Sequence, residues 1–94
     1  MKNNKILEIY GMQIMLESLM YIHLLENEVQ YFLHTGEVIK QNKEIRMRNM
    51  MALLKPYDFI KVNKKHIVNE QYIQYNYPKS IILLNGLELL KEEK

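Results

Sequence analysis

Phe59-Ile60-Lys61-Val62-Asn63-Lys64-Lys65-His66-Ile67-Val68-Asn69 is the stretch of this 94-residue chain on which its reading turns. Two short apolar runs, at residues 59–62 and 66–68, flank one asparagine and two adjacent lysines. Each run has the length and β-branched content of a strand, and a polar break between two such runs reads as a tight turn. The runs fix where the turn lies. Residues 61–65 are therefore expected to be exposed between a buried Phe59 and a buried Ile67, with Asn63, Lys64 and Lys65 projecting outward. A lysine offers point charge to phosphate or to guanine O6 and N7, and an asparagine amide matches adenine N6 and N7.

Working outward, the helical period occurs in one place. Met47, Met50, Met51 and Leu54 stand at i, i+3, i+4 and i+7, one face of a short helix. At that spacing the methionines read as core, since Met fills irregular gaps, and not as a haem or copper feature. The helix is expected to start at Asn42 or nearer Arg46. Lys55-Pro56 is expected to end it, because a residue before proline avoids the α region. Before the helix, residues 5–10 and 12–16 read as short strands on either side of Gly11. Residues 20–25, apolar on both faces, then 29–33 and 37–41 read as a meander broken by Glu26-Asn27-Glu28 and His34-Thr35-Gly36-Glu37. After the key stretch come a tyrosine-rich strand at residues 72–77, a Pro78-Lys79 turn and a strand at residues 80–84. Asn85-Gly86 is expected to form a type I′ hairpin turn, whose two central residues both need positive φ. Residues 87–90 pair back, and residues 91–94 fray. The expectation is one domain over residues 1–94, mostly β, with one short helix near the middle.

Composition excludes much. Without cysteine there is no disulfide framework, thiolate zinc site or cysteine nucleophile. Three glycines are too few and too scattered for a glycine-rich phosphate loop. No apolar run is long enough to span a membrane, and Met1-Lys2-Asn3-Asn4-Lys5 opens no signal peptide, so a cytoplasmic protein is expected. His23, His34 and His66 have no partner at metal-ligand spacing, Ser18 and Ser80 lack a nucleophile elbow, and Glu26 and Glu28 flank a hairpin tip. Neither an enzyme nor a cofactor or metal site is expected, and no small-molecule substrate. Charge is uneven instead. Residues 40–66 carry eight cations and two anions, a net +6, which leaves −4 for the remainder of a chain of net +2. A basic middle in a mildly acidic body suits a surface that meets phosphate.

The ordered set of motifs resembles the LytTR DNA-binding domain. Residues 59–69 are similar to that family's Phe-aromatic-Arg-Val-His-Arg-Ser-aromatic-Ile-Val-Asn signature, and Tyr72-Ile73 to the strand after it. Met20-Tyr21-Ile22 resembles its Ile-x-Tyr-Ile strand, and Asn27 falls in the loop that follows. Gly36-Glu37 resembles its Asp-Gly-Glu hairpin, residues 47, 50 and 54 its short Leu-rich helix, and Leu84-Asn85-Gly86 its last hairpin. The likeness runs over about residues 5–90, in order. Where the family has His-Arg-Ser, this chain has Asn63-Lys64-Lys65, which keeps charge but lacks the bidentate guanidinium. Where the family has a terminal Ser-Arg, Lys91 alone offers a cation, and Glu92 beside it would repel phosphate.

The resemblance implies an elongated, LytTR-like arrangement of small antiparallel sheets whose loops enter successive major grooves of double-stranded DNA at promoter repeats, with a dimer on DNA as an option. It implies a bacterial transcription regulator of the two-component class. Ninety-four residues leave no space for a receiver domain, so the expectation is an excised C-terminal output domain, or else a stand-alone regulator. Base contacts are expected from Asn27, Asn63, Lys64, Lys65 and Lys91, and phosphate contacts from Arg46, Arg48 and Lys61. Two other classes stand beside this one. The first is a protein-interaction or oligomerisation module of the same fold without strong DNA binding. The second is a single-stranded nucleic-acid binder that stacks bases on Tyr72, Tyr75 and Tyr77, although Tyr75 and Tyr77 share a strand face that Tyr72 does not.

Overall fold

The structure, a computed structural model, describes residues 5–91. The readings of Met1-Lys2-Asn3-Asn4, of Glu92 and of a frayed end lie outside these residues. β1 (Ile6–Ile9) and β2 (Met12–Met15) form a two-stranded hairpin. β3 (Leu19–Leu24), β4 (Val29–Leu33) and β5 (Val38–Gln41) form the expected meander, and α1 (Met47–Leu54) follows. β6 (Phe59–Lys61) and β7 (His66–Asn69) join the meander in a five-stranded antiparallel sheet of order β5-β4-β3-β7-β6. β8 (Ile73–Asn76), β9 (Ser80–Leu83) and β10 (Glu88–Leu90) make a separate sheet of order β10-β9-β8. The fold is mostly β, as the patterns predict. The extents of 36 × 34 × 24 Å describe a flattened body in place of the expected elongated one.

The five-stranded sheet is covered on both faces, which explains why β3 buries Leu19, Met20, Ile22 and Leu24 and β7 buries the adjacent Ile67 and Val68. Alternate residues of a strand point to opposite faces. Ile67 enters one core with Ile22, Tyr31, Phe59, Met50 and Leu54, while Val68 enters a second with Met20, Val62, Ile81, Leu83 and Leu89. The first core is closed by α1 and the β1–β2 hairpin, the second by the three-stranded sheet. The methionine stripe faces the first core: Met50 and Leu54 are buried, and Met47 and Met51 are half-buried against it. Burying a side chain of this size stabilises by about 1.5–3 kcal/mol. Gln41 ties β5 to the hairpin, accepting from the Tyr31 hydroxyl at 2.7 Å and donating to the Ile9 carbonyl at 3.1 Å.

Two local expectations are corrected. α1 ends at Leu54, where Lys55-Pro56 is expected to end it, but Lys55 does not avoid the α region: it takes it and opens a 3-10 turn over Lys55–Tyr57. Proline at the second position of a fresh turn loses no hydrogen bond, so it is tolerated there. That 3-10 turn is stopped by Asp58, in the left-handed region at φ 60°. The second correction concerns the hairpins. Asn85-Gly86 is not a type I′ turn, since Gly86 has positive φ and Asn85 does not. Gly86 donates to Leu83 and Leu83 to Leu87, a type I turn closed by a left-handed glycine. His34-Thr35-Gly36 is built the same way between Leu33 and Glu37. The two-residue turn with both φ values positive is Tyr10-Gly11.

Candidate nucleic-acid interface

Strand register brings the predicted contact regions to one rim. His23 pairs with His66, so the β3–β4 loop and the β6–β7 turn leave the sheet at the same end, and the Leu24 amide donates to the Lys65 carbonyl at 2.8 Å. Gln41 pairs with Val29, which places the end of β5 there too. Leu90 pairs with Ser80, and the Lys91 amide donates to the Lys79 carbonyl at 2.9 Å, so the β8–β9 turn and the end of β10 lie together. The Asn63 side chain joins this pair to the β6–β7 turn, its Nδ2 donating to the Leu90 carbonyl at 2.6 Å.

That bond accompanies a correction. Asn63 is not exposed; it is 6 % accessible, and Val62 before it is buried in the second core. The Asn63 Oδ1 accepts from the backbone amides of Lys65 at 2.8 Å and His66 at 2.9 Å. These two donors fix which end of the amide is oxygen, so the His66 ring, with Nδ1 3.0 Å from the same oxygen, donates from Nδ1. An amide committed in this way has no donor–acceptor pair left for an adenine edge. Asn63 builds the turn and does not present itself to a base.

The remaining candidates fall into two groups. Asn27 is exposed at the tip of the β3–β4 loop between Glu26 and Glu28, and Lys64 and Lys65 are exposed on the β6–β7 turn. Lys61 is exposed at the end of β6 on the same rim. Lys91 is half-buried, its Nζ donating to Asn76 Oδ1 at 2.6 Å. Arg46 and Arg48 are exposed at the start of α1, the layer that closes the first core on the opposite face from the three-stranded sheet. Lys79, exposed on the β8–β9 turn, belongs to the rim but was missed by motif reading. Its signal, a cation in a Pro-Lys turn, gains meaning only once register places that turn beside Lys91.

The far rim has the opposite charge. The 3-10 turns Leu16–Ser18 and Glu70–Tyr72, the β4–β5 and β9–β10 loops and Asp58 meet there. They carry Glu17, Glu37, Asp58 and Glu70, with Glu88 opening β10; Lys55, three residues before Asp58, and Lys5, whose Nζ lies 5.9 Å from the centre of the Tyr57 ring, stand among them. Tyr72 belongs to this rim. Its hydroxyl donates to the Glu17 carbonyl and its ring stacks on His34 at 5.9 Å. Burial, and then the Glu17 charge, raise its phenol above the ordinary value. A three-tyrosine platform is therefore not formed, although Tyr75 and Tyr77 are exposed and stacked at 5.8 Å. His23 and His66 are half-buried and stacked at 4.4 Å beside the stacked pair of Tyr21 and Phe32. Among the described residues no three His, Asp or Glu gather as a metal site requires, and no helix is long and apolar enough to cross a membrane.

No family model matches the sequence, and no curated protein does. Among solved structures, the chain is similar to the LytTr DNA-binding domain of a Bacillus cereus protein described as a methyl-accepting/DNA response regulator. The two superpose with a TM-score of 0.66 at 17 % identity, over 94 % of this chain and 84 % of that one. The likeness shows that this chain has the LytTR fold.

Proposed function

We propose that this chain binds double-stranded DNA sequence-specifically and serves transcription regulation in the bacterial cytoplasm, as the output domain of a two-component response regulator or as a stand-alone regulator. The observation that carries the reading is the balance of charge by rim: Lys61, Lys64, Lys65, Lys79 and Lys91 outweigh Glu26 and Glu28 at one end, while Glu17, Glu37, Asp58, Glu70 and Glu88 outweigh Lys5 and Lys55 at the other. Such a polarity orients the domain as it approaches a polyanion and turns the far end away. The LytTR fold supports DNA as the partner, since the similar Bacillus cereus domain is a DNA-binding one. Within the rim, Lys64 and Lys65 are our base-reading residues, with Asn27 on the adjacent loop and Lys91 on the other sheet. Lys61 meets phosphate, and Arg46 and Arg48 meet phosphate from the helix. The domain works without cofactor or small-molecule substrate, on promoter repeats, with a dimer on DNA as the natural way to read two of them.

A second reading, a protein-interaction module of the same fold, draws on one observation: the rim holds lysines and no arginine, so bidentate guanine contacts are absent from it. Selection of duplexes from a random pool, followed by titration of the enriched duplex at increasing salt, separates the two. Under the DNA-binding reading one sequence is enriched, and affinity falls with a log–log slope of about −0.9 per neutralised phosphate. Undetectable binding at low salt, or binding indifferent to salt, assigns the interaction module.

A further inference from the structure

We propose that Asn63 is a positioning residue for duplex recognition: its buried amide ties the β6–β7 turn to the end of β10, so that Lys64 and Lys91, carried on two different sheets, meet DNA as one unit. The inference rests on the DNA-binding reading above and goes beyond it by assigning the device that sets the spacing between contacts.

The need for such a device follows from the topology. The five-stranded and three-stranded sheets share no strand pairing. The chain passes between them once after β7, through the 3-10 turn Glu70–Tyr72 at the far rim. What packs them together is the second core, with Met20, Val62 and Val68 against Ile81, Leu83 and Leu89. Apolar burial is non-directional, so it holds the sheets in contact without fixing how their near rims align. Recognition needs more, because a contact group must be held to about 0.5 Å.

Asn63 supplies direction at the near rim. Its Oδ1 gathers the Lys65 and His66 amides and the His66 ring, which shapes the turn carrying Lys64. Its Nδ2 donates across the gap to the Leu90 carbonyl, the residue before Lys91. The Lys91 amide in turn donates to Lys79, and its Nζ donates to Asn76. One amide thus sets the turn and couples it to the neighbouring sheet. At 6 % accessibility it is shielded from competing water.

Two variants separate these jobs. Asn63→Ala removes both the acceptor and the donor. Asn63→Asp keeps the acceptor for the turn but faces the Leu90 carbonyl with a second oxygen in place of the N–H. Each is compared with the unaltered chain by amide hydrogen exchange and by the ratio of affinities for the selected duplex and its scrambled counterpart. The ratio is read because the Asp charge weakens binding to every duplex alike. In Asn63→Ala we expect faster exchange at Lys65, His66 and Lys91, a ratio lowered about tenfold, and an unchanged salt slope, since no phosphate contact is lost. In Asn63→Asp we expect Lys65 and His66 to stay protected, Lys91 to exchange faster, and the ratio to fall as in Asn63→Ala.

A ratio that falls in Asn63→Ala but holds in Asn63→Asp overturns the tie, leaving a residue that shapes the turn alone. A ratio that falls without any change in exchange also overturns it, by making Asn63 a DNA contact. If the unaltered chain prefers no duplex sequence, the DNA-binding reading itself fails and takes this inference with it. That failure is recognised by the unaltered chain alone, before either variant is measured.

Discussion

Asn63 and Leu90 stand 27 residues apart in the chain, yet a side-chain-to-backbone hydrogen bond of 2.6 Å joins them across the gap between two sheets. A turn residue whose type matches a base edge is thereby spent on the protein's own backbone. Under the proposed DNA-binding function, base contact falls to the lysines that the turn displays.

Lys64→Ala should lower the preference for the selected duplex over a scrambled one by about 1–3 kcal/mol, the scale of a lost base contact. Arg46→Ala, at the exposed start of α1, should weaken binding to both duplexes together and flatten the salt slope by about one unit at most. Anisotropy titrations of both variants at three salt concentrations check this. An unchanged preference in Lys64→Ala would mean that the turn is not a reading head.

Alkaline stability should depend on Tyr31. Its ring is buried in the first core, and burial pushes its phenol well above the ordinary value of 10.0, helped by the nearby Tyr10. A phenol whose pKa is raised by folding keeps its proton longer in the native state than in the unfolded chain. Its contribution is therefore full below pH 10 and shrinks as pH rises above that, toward the native value. Urea midpoints should fall steadily above pH 10. Tyr31→Phe should remove much of that slope while costing about 1–2 kcal/mol at pH 7, because the Gln41 Oε1 loses its donor.

Gly36 and Gly86 close equivalent loops at φ 99° and 92°, and a Cβ at either would touch nothing within 4 Å. Replacement by alanine should therefore cost backbone strain alone, about 1–2 kcal/mol. Gly36→Asn and Gly86→Asn should cost less, since asparagine tolerates the left-handed region. Thermal melts of the four variants test the ordering, with about 4–8 °C expected per kcal/mol in a domain of this size.

Met50→Ala and Ile67→Ala each delete a fully buried side chain from the first core and should each cost about 2–5 kcal/mol in urea unfolding. Leu53→Ala, on the same helix but 39 % exposed, should cost under about 1 kcal/mol. Equal losses at positions 50 and 53 would contradict the facing of α1.

The local elements were legible because their causes are local. The period of Met47, Met50, Met51 and Leu54 is a property of one helix face, and the apolar runs around residues 22, 31, 67 and 82 announce strands whatever they pair with. Gly36 and Gly86 marked turns for the same reason. The kind of turn was less legible, since Asn85-Gly86 fits both a two-residue and a three-residue hairpin loop. Register between Leu83 and Leu87 chose the latter. Pro56 marked the end of α1 correctly, but the 3-10 turn that carries it was not legible.

The interface divides along the same line. The sequence alone determined that residues 63–65 form a polar turn between two buried strands, because hydrophobic runs position whatever lies between them. Which of the three faces outward was decided by tertiary structure. An asparagine amide goes where its donors and acceptors are met, and here they are met by Lys65, His66 and the carbonyl of Leu90. Likewise, the cations of residues 61, 64, 65, 79 and 91 are scattered along the chain. Antiparallel pairing returns the strands of each sheet to one end, and the second core with the Asn63–Leu90 bond sets the two ends side by side, a relation between segments that no single segment contains.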